Sequence, residues 1–282
     1  MCPDVDCPLL EDLVLKDIDN PYFMSINAPN LRELVLEDED DFVNIFSSIP
    51  ALECFSWDLF EVDNGSTKVI PTRLPSVLNC LKCLFMSGIT LGEFFELSFA
   101  LCIIRSSPNL EEIEIKIVTN ECILSDGDYF ECVPQEVVDE IPAWFSDITF
   151  NHLRTVNFYD VLLEEVEMQL IKVLLAKSPS LVKMVIKPRQ METNKSLNVL
   201  AEITKFQRQS SKAEVVCTLL VMMRTILHMC PGRMLMRFMQ ASQIFNHLRT
   251  VKLSNVAGAG AEMQLIKVLL AKSPALVKME LA

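Results

Sequence analysis

Two cysteines separated by two residues, Cys80 and Cys83, have the spacing of half a zinc site. A closed site takes about four ligands. Neither a second cysteine pair nor a histidine pair accompanies this one, so the two thiols are read as buried or half-buried flanks of Leu81. Of the three histidines, His152 and His247 occupy the same place in a repeated block, beside an asparagine and just before a leucine; the third is His228. That is a structural slot rather than a general base. Asp126-Gly127-Asp128 is too short for a calcium loop. Gly258-Ala259-Gly260 has Met263 where a dinucleotide fingerprint needs its third glycine. Neither HExxH nor GxSxG occurs, and no spacing holds two carboxylates at a catalytic distance. The residues predict no enzyme, no catalytic group, no cofactor and no metal.

Charge narrows the partners. The net charge of −13 hides an asymmetry: residues 1–141 carry 28 acidic and 7 basic side chains, residues 142–282 carry 10 and 18. The run Glu37-Asp38-Glu39-Asp40-Asp41 reads as a solvated loop. The basic set Lys183, Lys187, Arg189, Lys195, Lys205, Arg208 and Lys212 lacks interleaved aromatics apart from Phe206, which argues against nucleic acid. Ten cysteines in 282 residues are too dilute for a disulfide scaffold. The opening Met1-Cys2-Pro3-Asp4 lacks the apolar run of a signal peptide. The most apolar stretch, Thr218 to Met229, is broken by Arg224 and is too short for a membrane span. A cytoplasmic or nuclear protein with no membrane partner is expected.

The elements that would position these side chains come from a repeated phrase with apolar residues at positions 1, 4 and 6. It starts at Leu10, Leu31, Leu52, Leu81, Leu110, Leu153, Leu181, Leu248 and Leu276, at intervals of 21, 21, 29, 29, 43, 28, 67 and 28 residues. Most intervals fall in the roughly 20–29-residue period of leucine-rich repeats. Positions 4 and 6 share one side of a strand, and Pro8, Pro29, Pro50, Pro108, Pro179 and Pro274 stand just upstream. Proline disfavours helix in the residue before it, so each phrase starts a strand. Residues 93–105 and 164–177 read as helices, the second with Val166, Leu170, Val173, Leu174 and Lys177 on one side. A strand followed by a helix, repeated, predicts an α/β leucine-rich-repeat solenoid: parallel strands on the concave side, helices behind. Such an array needs polar caps, and an uncapped edge strand invites pairing, so self-association is expected.

The strand residues between the leucines point the other way and form the default binding surface. Glu33, Glu37, Asp58, Glu112 and Glu114 supply acid, Lys183 and Lys187 supply base, and Phe85 and Tyr159 are outward aromatics. Trp57 and Phe158 fall at inward positions and are expected in the core. The surface predicts a bipolar groove for a protein partner.

A second duplication is sharper. Residues 150–186 and 245–281 align without a gap, with 25 of 37 positions identical. The departures cluster at 162–166 (LLEEV) against 257–261 (AGAGA), where glycine makes the second copy's loop more permissive.

The segments CPLLEDLVLKDID (7–19), APNLRELVLEDED (28–40), 151–188 and SLNVLAEITKFQRQSSKAEVV (196–216) together resemble plant F-box proteins with leucine-rich repeats and an FBD region. The resemblance covers about residues 7–216 and the copy at 245–281. It divides the chain into leucine-rich repeats (1–141), an FBD-like region with βα units (142–216), an atypical Met-rich connector (217–244) and a second partial FBD-like copy (245–282). Residues 217–244 hold six of the 14 methionines and match nothing in the family; a connector and a misjoined or duplicated exon are both open. The family's F-box is not found ahead of the first repeat. The resemblance implies a substrate-recognition module of a Skp–cullin–F-box ubiquitin ligase whose target protein is unknown, with a Skp-type adaptor as partner only if an F-box lies upstream. The alternatives are a free-standing or partial repeat protein, acting as scaffold or competitor, and an immune-receptor-type repeat domain.

Overall fold

The computed structural model describes residues 5–15, 26–37, 45–59, 71–118, 140–189, 199, 202–220, 250–254 and 278–281. Two short strands, β1 (Val5–Asp6) and β3 (Ile26–Asn27), pair with each other in parallel. The other ten form one sheet. They are β2 (Asp12–Leu15), β4 (Glu33–Glu37), β5 (Cys54–Asp58), β6 (Cys83–Ile89), β7 (Glu112–Ile117), β8 (Thr155–Val161), β9 (Lys183–Pro188), β10 (Glu214–Leu220), β11 (Thr250–Ser254) and β12 (Lys278–Leu281). Every ladder is parallel and the strands lie in chain order, so the sheet is open, with β2 at one edge and β12 at the other.

The proline before each phrase has a specific place. Leu10, Leu31, Leu52, Leu110 and Leu181 each donate their N–H to the carbonyl three residues back, on Cys7, Ala28, Ile49, Ser107 and Ser178. Pro8, Pro29, Pro50, Pro108 and Pro179 are therefore the second residue of a four-residue turn, the position that suits their fixed φ and missing N–H. Leu81 closes the same turn on Leu78 without a proline. Neighbouring turns are tied by asparagine: Asn30 Nδ2 donates to the Pro8 carbonyl at 2.6 Å and Asn109 Nδ2 to the Asn79 carbonyl at 2.8 Å.

Beyond each turn the backbone repeats one device. The carbonyls of Glu11, Arg32, Glu53, Lys82, Glu111 and Arg154 each accept two consecutive N–H groups of the next strand's entry, at 2.7–3.1 Å. Positions 1, 4 and 6 then stack from strand to strand. From Leu31 to Ile186 all 18 such residues of the six described phrases are buried, Trp57 and Phe158 among them. Helices α1 (Phe94–Ser106) and α2 (Glu165–Lys177) join the same core, as Trp57 against Phe99 shows, with ring centroids 4.5 Å apart.

Three features depart from expectation. A long α-helix does not follow every strand: α1 and α2 have 13 residues each, and between β4 and β5 the described residues hold a 3-10 turn, Ile45–Ser48. A 13-residue helix is about 20 Å long, and a 21-residue repeat has too little chain to lay one behind the strand and return. The buried stripe of α2 is broader than one side: Val166, Leu170 and Leu174 are joined by Glu167, Met168, Ile171 and Leu175, while Val173 and Lys177 are only half-buried. Strand β10 crosses the boundary drawn between residues 216 and 217, and no 1-4-6 leucine phrase announces it. Val215 and Cys217 fill its inward places.

Both strands that feed a helix end in a bulge, at Gly88 (φ 75°) and Asp160 (φ 58°). A Cβ on Gly88 would stand 1.7 Å from the Leu59 carbonyl oxygen. Only glycine fits there, because the chain leaving β5 bonds directly to Ser87.

Candidate functional site

The parallel register arranges the outward residues in three rows across the sheet. The first runs Asp12, Glu33, Cys54, Cys83, Glu112, Thr155, Lys183, Glu214. The middle row runs Val14, Val35, Ser56, Phe85, Glu114, Asn157, Val185, Val216. The third runs Glu37, Asp58, Ser87, Lys116, Tyr159, Lys187. Eight of the nine candidate residues therefore lie on one face, and Glu37 takes the matching register place. Glu33, Lys183 and Lys187 are exposed, and Asp58, Phe85, Glu112, Glu114 and Tyr159 are half-buried. Of Glu37 the backbone alone is described.

The rows separate charge along the sheet. Glu33, Glu37 and Asp58 stand on β4 and β5, Lys183 and Lys187 on β9. With strands about 4.8 Å apart, Glu33 and Lys183 are roughly 24 Å from each other and cannot pair. The acid and base are joined in the middle by a compact group on β7–β9. Asn157 Nδ2 donates to Glu114 Oε2 at 3.3 Å. The Lys187 ammonium stands 4.5 Å from the centroid of the Tyr159 ring, an attraction of about 0.5–1 kcal/mol at an exposed site. Burial, then the Glu114 and Glu112 carboxylates, push the Tyr159 phenol up from its ordinary range, so it remains a neutral donor. These groups can hold a polypeptide by hydrogen bonds, ring stacking and ion pairs.

The two cysteines expected as buried or half-buried flanks of Leu81 part company, and for Cys80 that expectation fails. Cys80 is exposed in the turn, while Cys83 stands beside Cys54 of the adjoining strand. Burial, then Cys54, push the Cys83 thiol up to about 12, which makes it a poor ligand and a poor nucleophile. The pairing was available from the phrase itself, since Cys54 and Cys83 share position 3. No group of three or more potential metal ligands occurs among the described residues. His152 is exposed; His228, His247, Asp126-Gly127-Asp128, Gly258-Ala259-Gly260 and Lys195 lie outside the described residues.

Of the basic set, Arg208 turns inward: Nη1 donates to the Ala213 carbonyl at 3.4 Å. Beside it the buried Ser210 hydroxyl donates to the Leu181 carbonyl at 2.7 Å, and Phe206 packs on the core. The Phe-Gln-Arg-Gln-Ser-Ser-Lys-Ala run leads into β10 and is tied to the turn before β9 through Ser210. Arg189, Lys205 and Lys212 stay exposed.

Two buried carboxylates carry no signature in the sequence pattern. Glu167 in the first turn of α2 accepts the N–H of Leu163 at 2.5 Å and of Glu164 at 3.2 Å, and Glu96 in the first turn of α1 accepts that of Thr90. Each closes the strand-to-helix loop above its bulge. Burial outweighs these hydrogen bonds at Glu167 and pushes its carboxyl up to about 7. An acid at the start of a predicted helix was the visible signal; its burial was not.

The chain is similar to an F-box/FBD/LRR-repeat protein of Arabidopsis thaliana, with 22% identity over 244 residues, covering 74% of this chain and 56% of that protein. The chain thus spans about half the length of this curated relative. No family model matches the sequence, and no solved structure matches it. Among the described residues no helix is long and apolar enough to cross a membrane.

Proposed function

We propose that this chain is a leucine-rich-repeat solenoid with an FBD-type C-terminal part, and that its three-row sheet face holds a protein partner. The observation that carries the reading is the register. It gathers acid on β4–β5, Phe85 and Tyr159 at the centre, and base on β9 onto one continuous surface that the fold does not consume. Aromatics between charged flanks are the composition of protein-binding patches. The similarity to an F-box/FBD/LRR-repeat protein supports the finer reading: the partner is a substrate delivered to a Skp–cullin–F-box ubiquitin ligase. The chemistry is recognition, not catalysis.

The test is a pair of charge reversals read against a control. Partners are captured from plant cells by proximity labelling with the parent chain, with Lys183→Glu/Lys187→Glu, with Glu112→Lys/Glu114→Lys, and with Lys172→Glu on the exposed side of α2. Both face variants are expected to lose a partner that the Lys172 variant keeps. Identical capture by all four proteins would remove the face from consideration. The ligase step is read separately: a Skp-type adaptor is expected to co-purify with the native protein, and its absence would remove the ligase while leaving the interaction face.

A further inference from the structure

The outward face changes sign along the strands as well as across them. On β7 the outward residues are Glu112, Glu114 and Lys116, each two places from the next and hence about 6.6 Å apart. Beside Lys116 in the third row come Tyr159 and then Lys187, so two lysines flank one phenol. In the middle row Glu114 stands between Phe85 and Asn157. Two carboxylates beside an aromatic ring thus lie one strand step from two cations beside a hydroxyl.

Each half has a definite preference. Glu112, Glu114, Phe85 and Tyr159 are half-buried, so they line a floor rather than project as free charges. Asn157 Nδ2 donates to Glu114 Oε2 at 3.3 Å, which holds that carboxylate in place. A planar guanidinium suits this floor with both of its features, since its fork pairs with carboxylates and its face stacks on a ring. The Lys187 ammonium, 4.5 Å from the Tyr159 ring centroid, shows that the floor already carries one cation over an aromatic. In the third row Lys116 and Lys187 are exposed. Burial, then the Glu114 and Glu112 carboxylates, keep the Tyr159 phenol protonated. It can therefore donate to a carboxylate that the two ammonium groups attract.

An extended segment laid along β7 and β8 advances by about 3.3 Å per residue, as the strands beneath it do, so its alternate side chains fall on successive rows. We propose that the partner of this face presents an extended segment carrying an arginine and, two positions away, an acidic residue. The arginine lies on Phe85, Glu112 and Glu114, and the acid on Lys116, Tyr159 and Lys187. A slip of one row in either direction sets like charge against like, so the pair also fixes the register of the segment. The inference rests on the reading of this face as a protein-binding surface and adds the chemistry of what it binds.

A random dodecapeptide library displayed on phage and selected on the full chain tests it. A parallel selection uses Glu112→Gln/Glu114→Gln, with a thermal melt as the folding control. Selected peptides are expected to carry arginine two residues from aspartate or glutamate, and the variant is expected to lose them. In one such peptide, exchanging the arginine for citrulline is expected to weaken binding to the parent about tenfold and to leave binding to the variant unchanged. Lys116→Glu/Lys187→Glu is expected to reverse the preference at the acidic place to lysine. Selected peptides without the pair, a citrulline penalty that persists in the glutamine variant, an unreversed preference, or a selection without binders each overturn the inference. The face itself stands or falls separately, on the capture of partners by the charge-reversed chains.

Discussion

Replacing Glu167 by glutamine is expected to abolish a defined part of the protein's pH dependence. The Glu167 carboxyl is pushed up to about 7 from an ordinary value of 4.5, first by burial. Its folded form therefore holds a proton more tightly than the unfolded chain does. For a raised carboxyl, the associated stability is fully present below the unfolded value and is lost as pH rises through the folded one. That rise corresponds to about 3 kcal/mol, at about 1.36 kcal/mol per tenfold change in proton affinity. Because the sequence pI is about 4.8, urea titrations are best begun near pH 5.5. From there to pH 8 this group alone lowers stability by about 2 kcal/mol. The glutamine keeps an acceptor for the Leu163 and Glu164 N–H groups but has no proton to lose, so the stability difference between parent and variant should change by that amount. Parallel curves for the two proteins across this range would refute the reasoning, since they would mean that Glu167 is hydrated or already ionised throughout.

Leu153→Asp places an unpaired charge at a fully buried phrase position; a loss of at least about 4 kcal/mol is expected in denaturant unfolding. Lys183→Asp, on the exposed face, should stay within about 0.5 kcal/mol of the parent. Gly88→Ala drives a Cβ into the Leu59 carbonyl and is expected to cost about 3 kcal/mol or more. Asp160→Gly, at the other bulge, should change thermal stability by less than about 1 kcal/mol. Alkylation near pH 8, followed by peptide mass spectrometry, should modify the exposed Cys80 well before Cys83 and Cys102, whose thiols burial pushes up to about 12 and about 11. Equal rates would show that the Cys54–Cys83 pair is open to solvent.

The period, the inward residues and the outward residues were legible without coordinates because each depends on a local rule. A strand alternates sides every residue, a proline in the second place of a turn lacks an N–H to lose, and apolar residues at 1, 4 and 6 have nowhere else to go. Hence Leu34, Phe55, Leu84, Ile113, Val156 and Met184 were recoverable as one stacked row, and Glu33 through Lys187 as the opposite face. The two α-helices were readable from their apolar runs and acidic starts. What tertiary structure alone decided is whatever depends on the distance between segments far apart in the chain. Strand β10 pairs with β9 although its own residues carry no phrase, and the run before it is tied to the turn ahead of β9 by the Ser210 hydroxyl on the Leu181 carbonyl. Gly88 is obligatory because another strand's carbonyl occupies the space of its side chain. Glu167 is buried because the loop above the bulge closes over it, a cost no helical periodicity announces. Local rules set which way each side chain points; the stacking of repeats set what it met there.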